Sequence, residues 1–227
     1  MGLGKIHSET ADKGEGIKSF NLPQPRFCSY GISIKLIACG DEHSAFVTTN
    51  NHVYTIGSNR SGQLGIRDPM VESKSSPVLV EQMMGHKIEG ISCGGSHTAA
   101  VTSTGEVFAW GEGRYGALGV PDTETDQYRP QRVIFRDNAS SHKKEVVIKT
   151  VSAGYKHTIF LDQHGRVYTC GNNENGQLGL ATRSVQPEPM QIDNFEHKAA
   201  QVSAGKDHTL ILTDTGLVYA CGLNTEG

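Results

Sequence analysis

The sequence predicts an all-β protein, a β-propeller made of four blade-length repeats. Four segments align without a gap, each beginning at a glycine that stands three residues before a histidine. Two short runs of β-branched and aromatic residues follow each histidine, with a turn position between them. The aligned glycines are Gly40, Gly94, Gly154 and Gly205, spaced 54, 60 and 51 residues apart, and the histidines are His43, His97, His157 and His208.

Further positions recur at fixed distances from the first glycine of each repeat. The turn position comes eleven residues after the first glycine, and it is Asn51 in the first repeat and glycine in the other three. Asparagine is the best non-glycine substitute where φ is positive. Since these positions recur in every repeat, we assign their glycines and histidines a structural role. The same role is assigned to the glycines seventeen residues after the first: Gly57, Gly111, Gly171 and Gly222.

Each repeat contains four candidate strands. In the second repeat, Ala99–Val101 and Val107–Trp110 are predicted to form a hairpin, preceded by a strand over Lys87–Ser92. Consecutive apolar residues in the hairpin indicate that both of its faces are covered. No segment shows convincing helical periodicity. A weaker fourth strand is predicted at the sheet edge, where proline is tolerated, near Pro77–Val80, Pro130–Ile134 and Pro189–Ile192.

The segments Cys93–Val101, Val107–Gly111 and Gly116–Gly119 together resemble the regulator of chromosome condensation (RCC1-like) repeat. The resemblance recurs four times and covers nearly the whole chain. It implies a propeller whose usual ring has seven blades, so four repeats would form a partial or open ring. The first repeat, residues 39–65, is most similar to the retinitis pigmentosa GTPase regulator group.

The repeats suggest a division of the chain. Residues 1–35 are interpreted as the tail of a preceding repeat and an entry segment, because Met1–Gly4 matches the end of a repeat. Three interpretations stay open: a fragment or short isoform, a ring completed by self-association through open edges, and a smaller structure that is stable alone. The repeats, of which the last is truncated, are assigned to residues 36–87, 88–148, 149–200 and 201–227.

Repetition argues against catalysis, because a catalytic residue is expected to be unique. The spacing of the histidines fits no zinc motif, and Ser96 lies outside any nucleophile elbow. Gly111–Gly116 matches the dinucleotide fingerprint, but no helix is expected after it. The sequence therefore predicts no catalytic, metal or cofactor site. Packed thiols are expected at the cysteines that share repeat positions with small or apolar residues, which are Cys39, Cys93, Cys170 and Cys221.

Two positions between the first glycine and the histidine vary sharply between repeats. Rotational repetition places them on one rim of the propeller. A constant scaffold with varied chemistry on one rim is typical of a protein-binding face, whereas drift of solvent-facing loop tips is the simpler alternative. The candidate partner-binding residues are Asp41, Glu42, Ser96, Tyr155, Lys156, Lys206 and Asp207.

Composition limits the classes of partner. The net charge is −3 and residues 1–35 carry only a weak basic excess, so nucleic acid is not expected. No apolar run suits a transmembrane helix, and the first residues lack the pattern of a signal peptide. The scattered cysteines fit a reducing intracellular compartment, with the cytoplasm expected first and the nucleus or cilium as alternatives. The single Trp110 excludes the tryptophan-based light sensing of a plant member of the family.

The resemblance implies three functions. The first, which we expect, is a non-enzymatic protein-interaction scaffold in small-GTPase signalling. The second is a guanine-nucleotide exchange factor for a Ran-like GTPase, in which a wedge-like insertion engages the GTPase. The long connection Val120–Val146 lacks any feature of that wedge and is expected to be a solvated loop. The third is the propeller fragment of a larger protein such as a ubiquitin ligase or kinase.

Overall fold

A computed structural model describes residues 33–121, 125–136, 146–193 and 195–225. These residues form fifteen strands and two single turns of 3-10 helix, Glu81–Met83 and Arg114–Gly116. The strands of the first two blades are β1 (Ile34–Cys39), β2 (His43–Thr48), β3 (Val53–Ser58), β4 (Ser73–Leu79), β5 (Ile88–Cys93), β6 (His97–Thr102), β7 (Val107–Gly111) and β8 (Gln127–Val133). Those of the last two are β9 (Ile148–Ala153), β10 (His157–Asp162), β11 (Val167–Gly171), β12 (Gln186–Gln191), β13 (Ala199–Ala204), β14 (His208–Thr213) and β15 (Val218–Gly222).

Consecutive strands pair antiparallel into four sheets, three with four strands and the last with three among the described residues. The first strand of each sheet contacts the first strand of the next, so β1, β5, β9 and β13 line the inside. The fourth strands β4, β8 and β12 therefore form the outer edges. The described sheets do not close into a ring, which confirms the predicted partial propeller.

The cores lie between successive blades. Trp110 is fully buried with Val47 between the first and second blades. Phe135 packs edge-on against Phe160 and Tyr168, with ring centroids 5.0 and 5.6 Å apart, between the second and third. Both faces of β6 and β10 are buried, as predicted, whereas β14 alternates between exposed and buried residues.

The predicted turn position has the expected backbone. Asn51 adopts a φ of 64°, and the corresponding Gly105, Gly165 and Gly216 adopt 84°, 82° and 88°. These left-handed residues connect the second and third strands of each blade in tight hairpins. The asparagine substitution is thus explained by backbone geometry.

The outer strands begin three or four residues earlier than predicted. β4 starts at Ser73 instead of Pro77, because its pairing with β3 shifts register between Thr55 and Gly57 and then continues. The same shift occurs beside Gly111 and Gly171. The prolines do lie on outer edge strands, where a missing N–H costs nothing. The interpretation of residues 1–32 lies outside the described residues.

Candidate functional site

A repeated hydrogen-bond relay joins each blade to the next. Nε2 of His43 donates to the Thr98 hydroxyl at 2.9 Å, and this hydroxyl donates to the Gln63 carbonyl at 2.9 Å. The histidine and the carbonyl belong to one blade and the threonine to the next. The relay recurs twice, through His97, Thr158 and Ala117 and through His157, Thr209 and Gln177.

The relay determines the protonation of its three histidines, called the relay histidines below (His43, His97 and His157). A threonine hydroxyl has one proton, which goes to the carbonyl, so the ring must donate from Nε2. Burial lowers the pKa of His43 and of His157 to about 4, and that of His97 to about 3. The relay histidines are therefore neutral near pH 7 and act as cross-blade donors.

The glycine before each histidine allows the next blade to approach closely. A Cβ on Gly40 would collide with the Gly94 carbonyl oxygen and lie 2.5 Å from Cε1 of His43. The Gly40 N–H donates to the His43 carbonyl at 2.8 Å, and the same bond recurs in the other three blades. The two varied positions therefore lie inside a closed turn.

The second varied position is also fixed through its carbonyl. The Ser96 carbonyl accepts the Glu112 N–H at 2.8 Å, just after β7. The matching bonds, also 2.8 Å, are Ser58 to Glu42, Asn172 to Lys156 and Leu223 to Asp207. The backbone of these turns is thus the same in all four blades, and only their side chains differ.

Neighbouring turns touch each other near the inner strands. The Gly95 N–H donates to the Tyr155 carbonyl at 3.2 Å, and the Tyr155 N–H donates to the Lys206 carbonyl at 3.1 Å. Together with Asp41, these residues border an open depression of about 330 Å³. Hydrogen bonds therefore join the second, third and fourth turns, and the first turn borders the same depression.

The charges on the rim are unevenly distributed. Asp41 and Glu42 of the first blade are exposed, as is Lys206 of the fourth. The first blade thus presents negative charge on the rim, whereas the rim cations lie on the third and fourth blades. The remaining candidates, Ser96, Tyr155, Lys156 and Asp207, are half-buried.

The cysteines follow the expectation with one exception. Burial raises the pKa of Cys93 to about 12 and raises the pKa of Cys170 and Cys221 above the usual thiol value. The prediction of a packed thiol is wrong for Cys39, which is exposed. In the described part of the chain no blade covers the other side of β1, where Cys39 lies.

Gly111–Gly116 does not form a nucleotide loop. Gly111 ends β7, Arg114–Gly116 forms a single 3-10 turn, and no helix follows in residues 117–121. Among the described residues, no group of three His, Cys, Asp or Glu side chains is placed to hold a metal ion. Within the same ranges, no helix has the length and apolar character needed to span a membrane.

Sequence reasoning missed two residues beside the rim, Arg114 and Tyr115. The turn that carries them follows Glu112, which is bonded to Ser96, and the Lys156 ammonium lies 4.0 Å from the centre of the Tyr115 ring. A signal was available, since these positions vary between repeats as the rim positions do. The equivalents are Arg60 and Ser61 in the first repeat and Glu174 and Asn175 in the third.

Comparison with known proteins identifies the family. The family model of the RCC1-like domain matches residues 3–227. The chain belongs to the RCC1-like domain family. This RCC1-like chain is 36% identical over 206 residues to the ultraviolet-B receptor UVR8 of Arabidopsis thaliana, covering 90% of this chain and 44% of that protein. It is 38% identical over 156 residues to the human X-linked retinitis pigmentosa GTPase regulator, covering 69% and 14% respectively.

Solved structures agree with the RCC1-like fold. The structure of yeast RCC1 (Prp20) with Kap60 matches with a TM-score of 0.73 and 25% identity, covering 87% of this chain and 45% of that one. Human WBSCR16 matches with a TM-score of 0.72 at 22% identity, covering 84% and 47%, and supports the fold alone. This RCC1-like chain spans less than half the length of each relative named here.

Proposed function

We propose that this RCC1-like chain is a protein-interaction module that works without covalent chemistry and binds its partner through the rim. The observation that carries the proposal is the contrast at the four turns. Glycine, relay and carbonyl bonds hold their backbone in one geometry, while the side chains range from Asp41–Glu42 to Lys206–Asp207. A rigid backbone lowers the entropy cost of binding, and varied side chains supply specificity.

Small-GTPase signalling is the proposed context. One relative is named a GTPase regulator, and Prp20p of Saccharomyces cerevisiae has been crystallised in a study of its binding properties to Gsp1p and histones. By analogy, a small GTPase is the first partner to test. The proposed compartment is intracellular, which suits the free thiols of Cys39 and Cys93.

A binding assay with purified small GTPases tests this proposal. We expect Lys206→Glu to weaken binding by about tenfold, since it reverses a rim charge. Lys198→Glu is the matched control, because Lys198 precedes β13 and Lys206 follows it, at opposite ends of one strand. Equal loss in both variants, or none in either, would contradict binding through the rim.

Nucleotide state separates a scaffold from an exchange factor, the second candidate. The rim side chains Asp41, Glu42 and Lys206 are exposed, which suits either function. Binding that prefers the nucleotide-free GTPase and accelerates nucleotide release would indicate exchange. Binding that prefers the GTP form would indicate a scaffold, the outcome we expect.

The exposed apolar faces suggest a further association. Ile37 of the first blade is 77% exposed, and Val218 of the last is 65% exposed. Apolar faces of this kind favour contact with another protein surface, such as a second copy of the chain or a further domain. Related segments occur in longer proteins, including the mouse serine/threonine-protein kinase Nek9 and the human protein named "Probable E3 ubiquitin-protein ligase HERC6". Light scattering of the purified chain distinguishes a monomer from a self-associated form.

A further inference from the structure

Five side chains on the rim and beside it form a ladder in which cations alternate with aromatic rings. Cζ of Arg114 lies 5.1 Å from the centre of the Tyr115 ring. The Lys156 ammonium lies 4.0 Å from that centre and 5.3 Å from the centre of the Tyr155 ring. The Lys206 ammonium lies 5.2 Å from the Tyr155 ring centre. This cation–aromatic ladder crosses the second, third and fourth blades.

The rings position the cations without neutralising them. Cation–π attraction holds an ammonium over a ring, and the full positive charge remains available. Among the described residues, Arg114, Lys156 and Lys206 form no salt bridge with a carboxylate. The ladder therefore presents three positive charges that no salt bridge within those residues neutralises, an arrangement that suits binding of an anion.

Backbone features position both tyrosine rings of the ladder. Gly95 leaves room for the Tyr155 ring, since a Cβ there would lie 2.6 Å from its Cδ2 atom. Tyr115 adopts a φ of 75° and a ψ of −4°, in the left-handed region that a bulky residue rarely occupies. The equivalent Ser61 and Asn175 do not have a positive φ. Strain of this kind is concentrated at functional sites, and here it accompanies the placement of a ring against Lys156.

The surrounding charges narrow the class of ligand. The Glu112 carboxylate lies near Lys156, Arg114 and Asp126, and Asp207 follows Lys206 in the chain. A long phosphate backbone would meet these acids as well as the cations, and the chain has a net charge of −3. Binding of nucleic acid needs an extended basic surface. Three separate cations are better matched by a few carboxylates on a flexible segment.

We propose that the ladder binds an acidic peptide segment of the protein partner, with carboxylates pairing with Arg114, Lys156 and Lys206. The apolar edges of the two tyrosine rings would contact the aliphatic parts of the segment. This inference rests on the proposed function, because it specifies the chemistry that the rim recognises. It is also separable, because a partner could bind the rim through other residues.

Fluorescence polarisation with a labelled peptide of alternating Asp and Glu, at low ionic strength, tests the ladder. We expect the double variant Lys156→Gln/Lys206→Gln to bind about tenfold more weakly than the unaltered chain. The matched control is Lys149→Gln/Lys198→Gln, which removes the same charge from the same two blades at their opposite ends. Equal weakening in the control, or no binding by the unaltered chain, would overturn the proposal.

Two further variants test the effect of a neighbouring carboxylate and the role of the Tyr115 ring. Glu112→Gln removes a nearby negative charge and is expected to strengthen peptide binding by about threefold. Tyr115→Gly relieves the left-handed strain, so we expect a higher thermal midpoint together with weaker peptide binding. Retained affinity in Tyr115→Gly would contradict a role for the ring.

Two comparisons separate this proposal from its alternatives. A single-stranded oligonucleotide of the same charge should bind more weakly than the peptide, and tighter binding would overturn the assignment to a peptide. If the peptide fails to bind while Lys206→Glu still selectively weakens GTPase binding, the ladder proposal fails and the proposed function stands. If neither effect appears, both fail.

Discussion

The hydroxyl of Thr158 is the clearest place to perturb the propeller without changing its shape. Thr158→Val keeps the volume of the side chain and removes the group that bonds His97 at 2.8 Å and the Ala117 carbonyl at 2.6 Å. Both partners are buried and would be left unsatisfied, each at a cost of about 1–3 kcal/mol. The Cys170 thiol, 3.6 Å from the same carbonyl, offsets part of that cost. We expect a loss of about 2–4 kcal/mol in the free energy of unfolding.

Guanidinium unfolding measures this loss through two signals. Far-UV circular dichroism reports on all the sheets, and the fluorescence of Trp110 reports on the interface between the first and second blades. Trp110 is suited to this because it is the only tryptophan, is fully buried, and donates to the Gln63 carbonyl at 3.0 Å. Agreement of the two signals shows that the blades unfold together.

Two substitutions serve as controls for Thr158→Val. Thr158→Ser keeps the hydroxyl and is expected to cost about 1 kcal/mol for the lost methyl group. Ser44 occupies the same repeat position in the first blade, but its hydroxyl lies 3.8 Å from the Cys39 sulfur and forms no relay. Ser44→Ala should therefore change the free energy of unfolding by less than about 0.5 kcal/mol. A cost for Thr158→Val as small as that of Ser44→Ala would refute the relay as a stabilising contact.

Three other predictions concern the relay histidines, a rim glycine and a buried carboxylate. The pKa of the relay histidines is lower in the folded chain than the ordinary 6.5, so their stability contribution is present above pH 6.5 and is lost as pH falls towards 4. At pH 5.5 the lowered pKa of each relay histidine should reduce the free energy of unfolding by about 1 kcal/mol. Equal guanidinium midpoints at pH 7.5 and pH 5.5 would contradict this. Gly94→Ala should cost more than about 2 kcal/mol, since its Cβ would lie 2.6 Å from Nδ1 of His97. Gly85→Ala, with nothing within 4 Å of its Cβ but a φ of 88°, should cost only about 1 kcal/mol. Asp162→Ala should lower the free energy of unfolding by about 2–3 kcal/mol, because the buried carboxylate accepts hydrogen bonds from the His164 and Arg166 N–H groups at 2.8 Å. Thermal denaturation measures the effects of Gly94→Ala and Asp162→Ala. A midpoint equal to that of the unaltered chain would contradict the prediction for that variant.

Much of the fold can be predicted from the sequence because the blade is a local structure. The histidine, the turn and the following strand lie within one short segment, so their spacing specifies a hairpin. Asn51 illustrates this, since one backbone requirement explains why asparagine replaces glycine. The fourth strand is less predictable, because its start depends on the register shift beside Gly57.

Contacts between blades could not be predicted in the same way. His43 and Thr98 are 55 residues apart, and nothing in either segment indicates that the ring meets that hydroxyl. The exposure of Cys39 likewise depends on which surfaces surround β1, whereas its repeat position indicates only size and polarity. The Tyr115 ring meets the Lys156 ammonium of the next blade, and neither repeat alone indicates that contact. These features belong to the packing of blades, which a single repeat does not encode.

The most direct test of the account is a footprint of the rim in a complex with a small GTPase. Hydroxyl-radical labelling followed by mass spectrometry reports the exposure of individual side chains. We predict protection on binding at Tyr155 and in residues 41–42 and 206–207, with unchanged labelling at the opposite turns, residues 103–105 and 214–216. Protection at the opposite turns with an unprotected rim would contradict the claim that varied side chains on a fixed backbone form the binding face.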